Sequence, residues 1–231
     1  MSARDIIFAS IRSSLGVNGH EAPRRKVVAD RISGHPAGVV PERGHLPPKE
    51  QLELFVKMLT GVAGSCDVVT SRDDVPGAIA GFLRSNNLPL AIRRGDDPML
   101  ASLPWSREPL IEVTAGISDG NQLASVSHAF AAVAETGTLV LTAGPDNPTT
   151  LNFLPDNHIV VLNAADLEGD YETVIGRLRE KFGPGVLPRV VNMITGPSRS
   201  ADIEQTLILG AHGPRRLHVV VVDERGKPAN A

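Results

Sequence analysis

The sequence predicts an α/β protein built on a mostly parallel β-sheet covered on both faces. Two observations carry this. Short apolar runs alternate with segments whose apolar residues recur at helical spacing. The runs are also continuous rather than alternating, as in strands buried on both sides. No internal repeat and no low-complexity segment breaks the pattern. Only 3% of residues are aromatic, so the core falls to Val, Leu, Ile and Ala. A chain of 231 residues, 42% hydrophobic and 21% charged, can bury such a core without disulfides or metal.

Residues 2–15 form the first expected helix, with Ile7, Phe8, Ile11 and Leu15 at helical spacing and Gly16 as a left-handed cap. The stretch 16–48 holds Pro23, Pro36, Pro41, Pro47 and Pro48 with several glycines, and reads as a linker. The expected organisation is therefore an N-terminal helix and Pro/Gly-rich linker over 1–47, followed by one domain over 48–231. Leu52, Phe55, Val56 and Leu59 set a helix over 49–60, and a strand follows at 66–70. Val75, Ile79, Phe82 and Leu83 set the next helix, with Asp73 or Asp74 as cap and Pro76 in its first turn.

Strands are expected at 88–92 and 110–113, with a short helix at 97–103 between them. Two β-like runs, 130–134 and 138–142, flank Glu135-Thr136-Gly137, and 158–162 is a further strand. Tyr171, Val174, Ile175, Leu178 and Phe182 form the clearest helical stripe of the chain. The last two strands fall at 190–194 and 217–222, with a helix near 201–209 between them.

A net charge of −3 speaks against a nucleic-acid groove. The cluster Arg24-Arg25-Lys26 lies in the Pro/Gly-rich region and reads as a solvated arm. Cys66 is the only cysteine, so this chain alone closes no disulfide and holds neither an Fe–S cluster nor a Cys-based zinc site. Beside Val68 and Val69 it reads as a buried thiol. No segment has the apolar core of a secretory signal, and none reaches the ~18 residues of a membrane span. The expectation is a cytoplasmic protein without membrane or nucleic-acid partners. No metal-ligand spacing, Gly-x-Gly-x-x-Gly motif or P-loop is present, so no metal or cofactor is expected.

Three clusters carry what chemistry the chain offers. In the first, Glu135, Thr136, Gly137 and Thr138 share one tight turn between apolar runs. Glu135 at a strand end suits a base, a nucleophile or a hydrogen-bond acceptor, and Gly137 permits close approach of a ligand. The alternative is a hairpin turn whose Thr and Glu side chains satisfy backbone amides. In the second, Gly196, Ser198, Arg199, Ser200, Asp202 and Glu204 follow a strand. Backbone amides with Ser198, Ser200 and Arg199 suit an oxyanion or phosphate. The alternative is capping, with Ser198 or Ser200 as N-cap and the acids at the positive helix end, where they would oppose an anion. The third is His212 between Gly210 and Gly213, placed as a proton shuttle or as a structural hydrogen-bonding group.

At these residues the chain resembles a known family. Ala134-Glu135-Thr136-Gly137-Thr138, Leu154-Pro155-Asp156-Asn157-His158, the run from Thr195 to Glu204, and Gly210-Ala211-His212-Gly213-Pro214 are similar to the LutC (YkgG) family of lactate utilization proteins, built on the LUD domain. Ser200 and Ala211 stand where relatives often carry Thr and Val. The resemblance covers 130–230 most closely. It implies a Rossmann-like three-layer α/β/α sandwich of the NagB/RpiA/CoA-transferase type. It also implies a role in oxidation of L-lactate to pyruvate beside LutA-like and LutB-like partners that carry Fe–S clusters. The single Cys66 agrees with a redox centre located on those partners. A small anionic ligand, or a partner surface, is expected where Glu135, Ser198, Arg199 and His212 meet. The family supplies no established catalytic residue. The alternatives are a CoA-transferase-like enzyme using Glu135 as nucleophile, which rests on fold analogy, and a pure interaction module.

Overall fold

The computed structural model describes residues 2–203 and 206–226, with the side chains of 200–209 outside that description. The chain divides into two units, one ending at Val39 and one beginning at Val40.

The first unit holds helices α1 (Ala3–Leu15) and α2 (Ala22–Gly34). Ser2 caps α1 through a capping box with Asp5, and Gly16 ends it at φ +64°. The second helix interrupts the expected linker. Pro23 sits in its first turn, where a missing N–H costs nothing, so this proline opens a helix instead of breaking one. Neither helix buries a residue.

The second unit begins earlier than 48 because residues 40–47 pack. A 3-10 turn at Glu42–His45 buries Gly44 against Gly169 and Asp170, in an approach too close for any Cβ on Gly169. Then follow α3 (Pro48–Gly61), β1 (Ser65–Val69), α4 (Val75–Ser85), β2 (Ala91–Arg94), α5 (Pro98–Ser102), β3 (Glu112–Ala115) and β4 (Ala124–His128). Next come β5 (Ala131–Val133), β6 (Thr138–Thr142), α6 (Thr149–Phe153), β7 (Asn157–Asn163), β8 (Leu167–Glu168) and α7 (Tyr171–Phe182). The description continues with β9 (Val191–Ile194), β10 (Arg199–Ile203), β11 (Thr206–Leu209) and β12 (Arg216–Val222).

Six of these strands form a wholly parallel sheet in the order β1-β12-β7-β4-β2-β3. Alternate residues of its central strands face opposite ways. Ile159, Val161, Val220 and Val222 pack on Val75, Ile79 and Leu83 of α4 and on Leu100 of α5. Val160, Leu162, Val219 and Val221 pack on Phe55 and Leu59 of α3. The latter face is also covered by a second sheet, β8-β5-β6-β9, through Ala132, Leu139 and Leu141. The far side of the second sheet, at Ala131, Val133 and Val140, takes Val174 and Leu178 of α7. The α/β class and the parallel sheet follow the expectation, and the second sheet is inserted between one helical layer and the main sheet.

Beyond α2, the short elements α6 and β8 were not expected, β2 and β3 start two to three residues later than expected, and two further departures shape the site. Strand β4, Ala-Ser-Val-Ser-His, was not expected, because two of its buried residues are serines. Their hydroxyls are satisfied, with Ser125 donating to the Leu151 carbonyl at 2.6 Å. The helix expected near 201–209 is instead the antiparallel hairpin β10–β11, pairing Arg199 with Leu209 and Ser200 with Ile208. Thr206-Leu207-Ile208-Leu209 is a continuous run containing β-branched residues, which suits a strand. The Gly210 N–H closes the hairpin onto the Ser198 carbonyl at 2.9 Å.

Candidate functional site

The hairpin shapes a cavity of about 310 Å³. The chain leaves β9, turns at Gly196 (φ +83°) and runs into β10. A Cβ on Gly196 would lie 2.9 Å from the Val62 carbonyl oxygen, so the turn is pressed against the end of α3. Ser198 then ties the returning loop. Its N–H donates to the Pro214 carbonyl at 2.9 Å, and its hydroxyl accepts from the His212 N–H at 3.3 Å. Gly196, Ser198, Arg199 and His212 therefore line one space with Thr195, although the hairpin separates them in sequence. Arg199 and His212 are exposed, and the Arg199 guanidinium has no ion-pair partner among the described residues. The volume falls at the lower end of small-molecule sites.

The wall mixes apolar Phe153, Ile194 and Leu217 with two fully buried polar residues. These are His158, the second residue of β7, and Asn152 of α6. Ser127 of β4 links them: its hydroxyl donates to Asn152 Oδ1 at 2.9 Å and lies 3.0 Å from His158 Nε2. With that hydroxyl proton committed to Asn152, Nε2 is the protonated imidazole nitrogen. His158 Nδ1 and Asn152 Nδ2 are left buried without a hydrogen-bond partner among the described residues. Burial pushes the His158 pKa down to about 3, so the imidazole is neutral. Native proteins pair nearly all such groups; these two nitrogen atoms are sealed behind the cavity wall and have no surface in it.

The first cluster lies beside the cavity and not in it. Glu135, Thr136, Gly137 and Thr138 form and follow the turn between β5 and β6. Gly137 has φ +67°, and a Cβ there would lie 2.6 Å from the Leu59 amide nitrogen, so this turn too is docked on α3. The element is a hairpin, but its side chains do not satisfy backbone amides. Thr138 Oγ1 lies 2.8 Å from both Thr136 Oγ1 and the Tyr171 hydroxyl, and 2.6 Å from Thr195 Oγ1. Thr195 thus joins this hydroxyl cluster to the cavity wall. Glu135 is buried, its Oε2 unbonded but 3.6 Å from Arg43 Nε, and it does not line the cavity.

With no helix at 201–209, the N-capping role of Ser198 or Ser200 and the placement of Asp202 and Glu204 at a positive helix end both fall. So does an anion cradle built from a helix N-terminus. Ser200 and Asp202 lie on β10 with side chains outside the described residues, and Glu204 lies wholly outside them. Cys66 is half-buried, and burial, followed by the neighbouring Asp67, raises its thiol to about 12, which keeps it protonated and unreactive.

A second polar cavity, of about 230 Å³, escaped the sequence. It lies where β2 and β4 end side by side. The chain proceeds from β2 outward to β3 and from β4 the opposite way to β7, so this is the topological switch point of the sheet. Asp97, which caps α5, bonds His128 Nδ1 at 3.1 Å, and the Asn163 amide lies 3.1 Å from His128 Nε2. Burial by itself would raise the Asp97 carboxyl, but hydrogen bonds from His128 and the Leu100 N–H outweigh it and hold the pKa below its usual value. Asn163 continues to Asp166, which pairs with Arg177. The usable signal was an Asp-Pro helix start, Asp97-Pro98; nothing local ties it to His128, 31 positions later. Among the described residues no group of three or more His, Cys, Asp or Glu is arranged to hold a metal ion, and no helix is long and apolar enough to cross a membrane.

Residues 52–222 match the model of the LUD domain. An uncharacterized protein of Neisseria meningitidis serogroup B is 32% identical over 145 residues, which is 63% of this chain and 55% of that protein. Lactate utilization protein C of Geobacillus thermodenitrificans is 36% identical over 110 residues, 46% of each chain. Lactate utilization protein C of Shouchella clausii is 33% identical over 106 residues, 45% of this chain and 46% of that one. The matched stretches span about half the length of these curated relatives. A crystal structure of a DUF162 family protein from Deinococcus radiodurans is similar at a TM-score of 0.54, with 25% identity, over 77% of this chain and 99% of that one.

Proposed function

This chain belongs to the LUD domain family, and we propose that it is a component of lactate utilization that binds a small anionic ligand in the cavity between β9, the β10–β11 hairpin and β12. In this reading it works beside LutA-like and LutB-like proteins that carry Fe–S clusters and oxidise L-lactate to pyruvate in the cytoplasm. Its similarity to proteins named Lactate utilization protein C supports the process. The observation that carries the ligand is Arg199, an exposed guanidinium without a carboxylate partner among the described residues, beside Ser198 and His212 on one cavity wall. One cysteine cannot ligate a cluster alone, which agrees with clusters carried by the partners of this reading. Transfer chemistry through Glu135 has less support, since that carboxylate stands outside the cavity. Deleting the gene should abolish growth on L-lactate as sole carbon source, with growth restored by the wild-type copy and only weakly by one carrying Arg199→Glu. Unimpaired growth of the deletion strain would overturn the proposal.

A further inference from the structure

We propose that Ser65, His218 and Asp67 form a nucleophilic site that hydrolyses short carboxylic esters. The site goes beyond the lactate reading and does not depend on it. Strand pairing brings the three residues together. Ser65 opens β1, the edge strand of the main sheet, and is in parallel register with His218 of β12. Asp67 follows two positions later on β1, so it projects from the same face as Ser65. A cavity of about 510 Å³ opens there, toward the amino ends of both strands. Ser65, Asp67 and His218 line it, with Phe82, Ser85 and Asn86 from the end of α4.

The geometry is that of an activated serine. Ser65 Oγ lies 2.9 Å from His218 Nδ1, and His218 Nε2 lies 3.6 Å from Asp67 Oδ2. Nε2 is buried without a hydrogen-bond partner among the described residues, so the neighbouring carboxylate decides the tautomer. Beside a carboxylate a bare nitrogen is repelled and an N–H attracted. The proton therefore resides on Nε2, and Nδ1 accepts from the Ser65 hydroxyl. That hydroxyl also reaches the Leu217 carbonyl, but at the longer 3.4 Å. Stacking on Phe82, with ring centroids 4.3 Å apart, fixes the plane of the imidazole. Ser65 is exposed and the Asp67 side chain is 51% exposed, so a substrate reaches the nucleophile from solvent. A nucleophile within hydrogen-bond reach of a base that a third group orients is the arrangement this chemistry needs.

Attack of Ser65 Oγ on an ester carbonyl forms the Oγ–C bond, and the hydroxyl proton passes to His218 Nδ1. The bond from the carbonyl carbon to the alcohol oxygen then breaks, and the alcohol leaves with that proton. Water repeats the sequence on the acyl-serine: it gives a proton to Nδ1, the acid leaves and the proton returns to Ser65 Oγ. One ester and one water become one acid and one alcohol, with no further co-reactant. Asp67 is a positioning residue that keeps the resting proton on Nε2 and stabilises the imidazolium. Besides His218, the charged groups lining the cavity are Asp67 and Arg216.

The test is mass spectrometry of the full chain after incubation with p-nitrophenyl acetate and, separately, with a fluorophosphonate. The wild type should carry the acyl or phosphonyl group on Ser65, and Ser65→Ala should lose it with an unchanged melting temperature. The base works only when neutral, so labelling should rise with pH along one limb. Its midpoint should lie below the usual 6.5, since burial lowers His218 and Asp67 only partly opposes this. Asp67→Asn should slow labelling about tenfold or more and move the limb to still lower pH, because the carboxylate favouring the imidazolium is gone. His218→Gln should slow it about a hundredfold or more. Because that change disturbs the packing on Phe82, the Asp67→Asn profile is the readout that keeps the buried face intact. An unlabelled Ser65 in the wild type, or an Asp67→Asn limb that does not move, would overturn the proposal.

Discussion

His158 shows what burial does to one side chain. Its imidazole is held neutral because a charge there would have no solvent and no counter-ion, and the pKa falls from 6.5 to about 3. Between those two values the unfolded chain takes up a proton that the folded chain refuses. Stability therefore falls as pH drops through that window, by ~1.4 kcal/mol per pH unit for this group. His218, stacked on Phe82 at 4.3 Å, is also lowered by burial, with Asp67 partly opposing, and acts in the same direction. Urea denaturation between pH 4.5 and 7 should show a shallower acid-side slope for His158→Phe than for wild type. Identical slopes would mean that His158 is not desolvated as described. The residue types of the cavity, Ser198, Arg199 and His212, stood out in sequence as polar groups beside glycines. His158 did not, because a histidine opening the run 158–162 looks like the edge of an ordinary strand.

At the scale of elements, α3 is the platform on which both turns rest. Gly137 at the β5–β6 turn and Gly196 after β9 each approach its C-terminal end too closely for a side chain. Gly137→Ala combines a left-handed backbone with a clash against Leu59, and should lower stability by about 2 kcal/mol or more. Gly185 has a similar φ of +73° with nothing within 4 Å, so Gly185→Ala should cost only ~1 kcal/mol. Chemical denaturation of the two variants compares them directly, and equal losses would remove the argument for close docking. The elements legible in sequence were those whose pattern is local, such as the helical stripe of α7 and the Val-rich runs of β7 and β12. Strand β4 and the β10–β11 hairpin were missed because buried serines and a short run ending in Gly210 mimic loop and helix composition.

At the scale of the molecule, all three hydrophobic clusters are built from residues of the second unit. Removing the residues before Val40 should therefore leave the melting temperature of the remainder within about 2–4 °C of the full chain, the shift that ~1 kcal/mol produces at this size. A larger drop would show that the first unit contributes to the fold. Two of the cavities among the described residues lie at opposite ends of the main sheet. One lies at the carboxyl-end switch point with Asp97 and His128, and the other at the amino ends of β7 and β12 with His158.

The sequence by itself determined the α/β class, because apolar periodicity reflects the local geometry of helix and strand. It also determined that Ser198, Arg199 and His212 are polar groups in glycine-punctuated segments. Tertiary structure alone decided that these three share a wall while Glu135 stands outside it. It also decided that Ser127 reaches His158 across 31 positions and leaves two buried nitrogen atoms unpaired among the described residues. Those outcomes depend on which distant strands become neighbours, and on how burial removes the water that would otherwise satisfy every polar group.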